Sequence, residues 1–435
     1  MEPRPLPVTF YEAFRFWLKL GFISFGGPTG QIAIMHQELV EKRRWISENR
    51  FLHALNYCMV LPGPEAQQLA TYIGWLMHRT WGGIVAGGLF VLPSVFILIA
   101  LSWIYVTWGN VPVVAGIFYG IKPAVTAIVL AAAHRIGSRA LKHPALWAIA
   151  AAAFVAVFAF KLPFPAIVIA AGLIGYAGGQ YFPKVFNSQN KHESQKAYGP
   201  ALIDDGTPTP AHAIFSWTKL WCYAAAGIAL WGIAMGALLS ARGWEGTLTQ
   251  MGWFFSKAAL LTFGGAYAVL PYVFQGAVEN HGWLTAPQMI DGLALGETTP
   301  GPLIMVVAFV GFIGAGVAGA LVATYFTFLP SFIFIFMGAP FIETTHGNLK
   351  FSAPLTGITA AVVGVILNLA VFFAWNVLWP QGMGGPFDWI SAAIGLAALA
   401  ALFRFKAGVM PVIGACALAG LAASALAGAP ATLLR

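Results

Sequence analysis

The chain has 435 residues, 59% hydrophobic and only 9% charged, with a formal net charge of +8. A soluble protein carries about 25% charged residues, so most of this chain has no water to face, and a polytopic all-α membrane protein is implied. Alternating strand-length patterns are absent, which argues against a β-barrel, and the basic residues sit in short interhelical loops without forming a stripe, which argues against a nucleic-acid partner.

The first ten residues hold three prolines and Arg4 and lack a short apolar core ending in small residues, so no cleavable signal is expected. An apolar stretch at 9–25 is interrupted by Gly26-Gly27-Pro28, followed by a more polar helix at 29–40 and a basic loop at 41–50. A second pair follows: 51–61, a break at Pro62-Gly63-Pro64, then 65–77. Arms this short do not span a hydrocarbon core of roughly 30 Å and suit re-entrant hairpins of broken helices. Full spans are expected at 84–107, 113–133, 145–160 and 163–182. Residues 183–213 are polar and read as a linker. The second half has a span at 214–239, two more hairpins at 252–276 and 286–318, and spans at 319–338, 351–378, 388–403 and 407–427. The expected units are therefore 1–182, 183–213 and 214–435.

The halves repeat one pattern. Phe25-Gly26-Gly27 recurs as Phe263-Gly264-Gly265, and Pro62-Gly63-Pro64 as Pro300-Gly301-Pro302, both 238 residues on. Leu92-Pro93-Ser94 recurs as Leu329-Pro330-Ser331 at 237. Fifteen lysines and arginines fall on the side of the N-terminus and linker, against Lys161, Arg242 and Arg435 on the other. Cytoplasmic loops are rich in both residues, so the N-terminus and linker are expected inside. Loop 41–50 is basic, whereas its copy 279–288 has no lysine or arginine. The copies are thus expected to enter from opposite sides, as inverted-topology repeats whose hairpins meet near the midplane.

Broken helices in a bilayer expose backbone N–H groups that lipid cannot satisfy, so they persist where they line a cavity or ligand. A half-helix beginning after Gly-Gly-Pro or Pro-Gly-Pro aims its positive end at the break. Four such ends converging make a site for an anion. Candidate contacts are Ser24, Gly26, Gly27, Thr29, Gly63 and Gln67 in the first half, and Thr262, Gly264, Gly265, Thr298, Thr299 and Gly301 in the second. Lys19 and Lys257 precede their Phe-Gly-Gly motifs by the same spacing and are expected to face the same cavity. Glu65 opens a half-helix and Glu297 precedes Thr298-Thr299-Pro300. Carboxylates at membrane depth are costly and commonly carry protons, so both are expected to couple. The phosphate-binding pattern Gly-x-x-x-x-Gly-Lys-Ser/Thr is absent, so ATP drive within the chain is not expected. Cys58, Cys222 and Cys416 lie far apart in apolar segments, and no cofactor, metal or enzymatic centre is expected.

Phe25-Gly26-Gly27-Pro28, Trp45, Pro62-Gly63-Pro64 with Glu65 and Gln67, and their second-half echoes resemble the chromate ion transporter family in its long, two-domain form, over nearly the whole chain. The resemblance implies a bacterial inner-membrane carrier that exports chromate in exchange for protons, with sulfate as a structural mimic and competitor. The alternative on the same scaffold is import or exchange of sulfate or another oxyanion. In the second copy Ala266 replaces Pro28 and Leu303 replaces Glu65, which assigns more of the coupling chemistry to the first half. The expected partners are chromate, protons and membrane lipids, with a homodimer left open.

Overall fold

The structure, a computed structural model, describes residues 5–25, 27–109, 111–186, 198–263, 265–345, 352–382 and 384–427. In the first half, α1 (Phe10–Ile23) and α2 (Gly27–His36), continued by a π-helical turn at Gln37–Lys42, form one hairpin. The second hairpin consists of α3 (Glu48–Val60) and the start of α4 (Glu65–Trp108). Beyond it lie α5 (Pro112–Ala140), α6 (Pro144–Phe158), α7 (Phe164–Tyr181) and the single turn α8 (Pro183–Phe186). The second half adds α9 (Trp217–Arg242), which has no counterpart among the described residues of the first. It then repeats the order with α10 (Thr247–Leu261), α11 (Ala266–Phe274) and its π-helical turn at Gln275–Asn280, α12 (Ala286–Thr298) and α13 (Val306–Thr345). The helices α14 (Ser352–Leu378), α15 (Trp389–Phe403) and α16 (Val409–Ala427) complete it. Among the described residues seven helices, α4, α5, α7, α9, α13, α14 and α16, are long and apolar enough to cross a membrane. Among the described residues there is no strand, only an isolated bridge from Ile46 to Ile203 of the linker. The chain is a polytopic all-α membrane protein.

The hairpin arms begin at caps the sequence supplies. The Thr9 hydroxyl accepts from the Glu12 amide at 3.2 Å and the Ser47 hydroxyl from the Arg50 amide at 3.3 Å. Thr285 and Gln288 form a reciprocal capping box on α12. Each such oxygen satisfies an amide that has no partner inside its helix. The arms α1, α3, α10 and α12 have 14, 13, 15 and 13 residues, or roughly 20 Å each. Each hairpin doubles back on itself. The Arg43 guanidinium, just past α2, lies 5.0 Å from the Phe16 ring of α1. Tyr57 of α3 meets Tyr72 of α4 edge-on at 6.0 Å, and Trp283 meets Phe254 of α10 at 5.4 Å.

The segments expected at 65–77 and 84–107 are joined through a sharp kink at His78–Arg79, matched in α13 by one at Ala315–Gly316. Across each kink the backbones nearly touch. A methyl group added to Gly74 would strike the Gly82 carbonyl, and one on Gly311 the Gly319 carbonyl. The long part of α4 then runs from the mouth of the first half's hairpins to that of the second's. There the Tyr105 hydroxyl donates to Asp291 of α12 at 2.9 Å. In return, α13 carries Glu343 back to Arg50 of α3, at 2.6 Å. Outside this core the copies exchange partners: α5 packs on α15 and α16, and α14 on α6 and α7. Small residues allow both contacts, Gly120 facing Gly420 and Gly357 facing Gly175.

Candidate functional site

The four breaks come together tip to tip. The Gly63 amide donates to the Thr262 carbonyl at 2.8 Å, and the Gly301 amide donates to the Ser24 carbonyl at the same 2.8 Å. The two bonds are copies of one another at the 238-residue offset. Two amides expected to cradle a solute are therefore used to join the halves. Gly63 and Gly301 hold φ of +132° and +102°, a region that favours glycine. A methyl group on Gly63 would strike the Ser331 hydroxyl, and one on Gly301 the Ser94 hydroxyl. Ser94 donates to the Pro300 carbonyl. In the other copy, Gln68 Nε2 takes the Pro62 carbonyl at 2.9 Å, and the buried Ser331 hydroxyl has no partner among the described residues. Both serines belong to the repeated Leu-Pro-Ser, a signal that sequence reasoning recorded without giving it a role.

Several predicted contacts are turned back on their own helices. Ser24, Thr262, Thr298 and Thr299 donate to the carbonyls of Leu20, Ala258, Leu295 and Gly296 at 2.7, 2.7, 3.0 and 3.0 Å. Hydroxyls in this arrangement offer lone pairs, not protons, to a ligand. Thr29 is exposed and Gly27 partly so, which leaves the start of α2 open, whereas every residue of α11 is buried. Gly26 and Gly264 lie outside the described residues. Lys19 and Lys257 occupy exposed faces of α1 and α10; the Lys257 ammonium sits 5.6 Å from the Trp253 ring. Neither lysine hydrogen-bonds a break residue among the described residues. Gln67 donates to the Thr71 hydroxyl at 3.0 Å.

The two carboxylates converge on one helix end. Glu65, at the start of α4, places an oxygen beside Gly265, 3.8 Å from where a Cβ would stand. Two residues further along the same turn, the Tyr267 hydroxyl donates to Glu297. Arg135 of α5 is close enough for its charge to act on both Glu297 and Tyr267. The first turn of α11 is thus flanked by an acid from each half. Tyr267 was not anticipated, since its copy is Thr29.

Amide side chains extend this polar strip on the first-half side. Gln31 Nε2 donates to the Gly301 carbonyl at 2.5 Å and reaches the Ser24 carbonyl at 3.4 Å. The amide oxygens of Gln31, Gln67 and Gln68 are buried and accept from no donor among the described residues. Buried polar atoms are nearly always paired, so these oxygens suit a water or a protonated group. The copy of Gln31 is Val269, and Leu303-Ile304-Met305-Val306 stands where the first half has Glu65-Ala66-Gln67-Gln68. Among the described residues no group of three or more His, Cys, Asp or Glu side chains is placed to hold a metal.

The chromate transporter family profile matches residues 11–176 and again 249–421. A chromate transport protein of Pseudomonas aeruginosa is 35% identical over 428 residues, covering 96% of this chain and 94% of that protein. One from Cupriavidus metallidurans is 30% identical over 418 residues, 95% and 93% of the two chains. A probable chromate transport protein of Synechococcus elongatus is 29% identical over 358 residues, 82% of each. These relatives are transport proteins, not enzymes. No solved structure matches. With its profile found in both halves and relatives aligned along nearly the whole length, this chain belongs to the chromate transporter family.

Proposed function

We propose that the protein exports chromate from the cytoplasm by proton-coupled antiport through two inverted copies of the hairpin module. The observation that carries the coupling is the convergence of Glu65 and Glu297 on the first turn of α11. A carboxylate held at membrane depth is a natural proton carrier. The unpartnered oxygens of Gln31, Gln67 and Gln68 supply acceptors for its protonated form. The open start of α2, with Gly27 and Thr29, is the place for the oxyanion, because a helix N-terminus presents free amides and positive charge. Lys19 and Lys257, on exposed faces, supply the field that draws a dianion toward the breaks. Opposite entry of the copies is supported by the reciprocal ties, Tyr105 to Asp291 at one end of the long spans and Arg50 to Glu343 at the other.

The membrane potential favours this direction. Each elementary charge gains about 2.3 kcal/mol per 100 mV, so a dianion leaving a negative interior gains about twice that, and inward protons add their own gradient. Chromate efflux from proteoliposomes under separately imposed pH and voltage gradients tests it. We expect external acid to accelerate efflux, protons to move inward, and sulfate to compete. Glu65→Gln and Glu297→Gln should lose the pH response and keep the voltage response. Efflux indifferent to the pH gradient, or protons leaving with chromate, would overturn the coupling.

A further inference from the structure

The kink of α4 carries chemistry that transport does not use. A groove of about 780 Å³ opens there, lined by Phe10, Met77, His78, Arg79, Trp81, Val85 and His212. No carboxylate is among its lining residues. Its walls are fixed by hydrogen bonds: His78 Nε2 donates to the Val8 carbonyl at 2.9 Å and His212 Nε2 to the Trp75 carbonyl at 2.9 Å. Lys219 stands behind the lining residue His212, its ammonium donating to the His212 carbonyl at 3.3 Å. Burial, joined by the charges of Arg79 and Lys219, holds the His212 imidazole below its ordinary value. The guanidinium of Arg79 is the cation in the groove's lining, with the Lys219 ammonium bonded to the back of His212.

Arg79 is held where only glycine is at ease. Its φ and ψ are +57° and −158°, and the equivalent residue of the other copy, at +63° and −154°, is Gly316. A bulky side chain kept in such a region is a strained feature that tends to mark function. The guanidinium has no carboxylate partner among the described residues. The whole stretch diverges between the copies. His78-Arg79-Thr80-Trp81 stands opposite Ala315-Gly316-Val317-Ala318, with no cation, imidazole or tryptophan. Backbone geometry is kept in both copies; the charged, aromatic surface is built in one.

We propose that this groove binds an anionic phospholipid, with its phosphate on Arg79 and Lys219 and an acyl chain along Trp81, Val85 and Met77. A guanidinium pairs with phosphate through two parallel hydrogen bonds. Trp81 is 72% exposed and Ile84, one turn on, is 39% exposed, so the apolar wall continues onto the outer face of α4. A free oxyanion would have no use for that wall. Tryptophan belongs at the headgroup level, and the groove opens on the side of Arg43, Arg44 and Arg50, where a basic surface meets an anionic leaflet.

The test compares purified full-length protein in nanodiscs of phosphatidylcholine alone and with phosphatidylglycerol, reading thermal unfolding and co-purified lipid. The wild type should gain about 4 °C or more from phosphatidylglycerol and retain it through delipidation. Arg79→Gly should lose that gain and the retained lipid, yet unfold no earlier than the wild type in phosphatidylcholine, because glycine relaxes the kink. Arg79→Lys should keep part of the gain. Equal stability of the wild type in both lipids, an undiminished gain in Arg79→Gly, or the same gain from inorganic phosphate in phosphatidylcholine would overturn the proposal.

Discussion

Gly63 and Gly301 join the two halves through backbone amides, so their demands are conformational. At φ of +132° and +102° any other residue loses about 1–2 kcal/mol, and the added methyl collides with Ser331 or Ser94. Crowding a packed site costs a further 1–3 kcal/mol, roughly. Gly27 is a control on the same tips: its φ is +68°, but a Cβ there would meet nothing within 4 Å. Gly63→Ala and Gly301→Ala should therefore each lose about 2–5 kcal/mol, against about 1–2 kcal/mol for Gly27→Ala, which bears the conformational cost alone. Thermal unfolding of the three variants in one detergent measures the difference. Equal losses would mean that the tips are not packed as described.

Short helices are tied to long ones by two buried clusters of like composition. Arg50 of α3 bonds Glu343 of α13 at 2.6 Å, and the Tyr72 hydroxyl donates to the other Glu343 oxygen. Asp291 of α12 faces Lys122 of α5 at 3.7 Å and accepts from Tyr105 at 2.9 Å. Neither cluster is a copy of the other, since Arg50 corresponds to Gln288 and Asp291 to His53. Each links a hairpin arm of one half to a long helix of the other. Removing one partner of a buried pair strands the other charge, at about 3–5 kcal/mol, whereas an apolar pair of similar volume is nearly neutral. Glu343→Leu alone should be severely destabilising, and Arg50→Met combined with Glu343→Leu should recover most of the loss. A double-mutant cycle on unfolding in mixed micelles reads the coupling; an additive result would show the pair to be idle. The breaks were legible from sequence because glycine and proline mark them. These ties were not, since Arg50 and Glu343 are 293 positions apart and neither is repeated. The kink at Arg79 was hidden for the opposite reason: the glycine that signals it stands only in the other copy, at Gly316. Repetition of Lys19 and Lys257 led to the expectation that both face one cavity; the structure puts both on exposed faces of α1 and α10, and repetition alone does not say which face points inward. The buried faces of α1 and α10 carry Phe16, Trp17 and Leu20, and Phe254, Phe255 and Ala258.

Across the whole molecule, the tip-to-tip arrangement leads to a prediction about where the two hairpin mouths lie. In the first hairpin of each half the two arms end side by side, Arg43 beside Phe16 and Trp283 beside Phe254, as a hairpin returning to its own starting side would have them. The mouths are separated by the long part of α4, which from its kink to Trp108 rises roughly 40 Å, more than a hydrocarbon core of about 30 Å. The mouth holding Arg43, Arg44 and Arg50 is basic, and the other, from Glu279 to Gln288, has no lysine or arginine. An opposite placement across the bilayer satisfies the charge bias and the geometry together. Lys42 and Asn280 are equivalent, exposed positions at the ends of the two π-helical turns, so they report on the mouths without disturbing the tips. In a background with Cys58, Cys222 and Cys416 replaced by serine, Asn280→Cys should react with a membrane-impermeant maleimide in intact cells. Lys42→Cys should react only in inverted vesicles. Labelling of both from one side would place the mouths together, and the long helices could then no longer run between them.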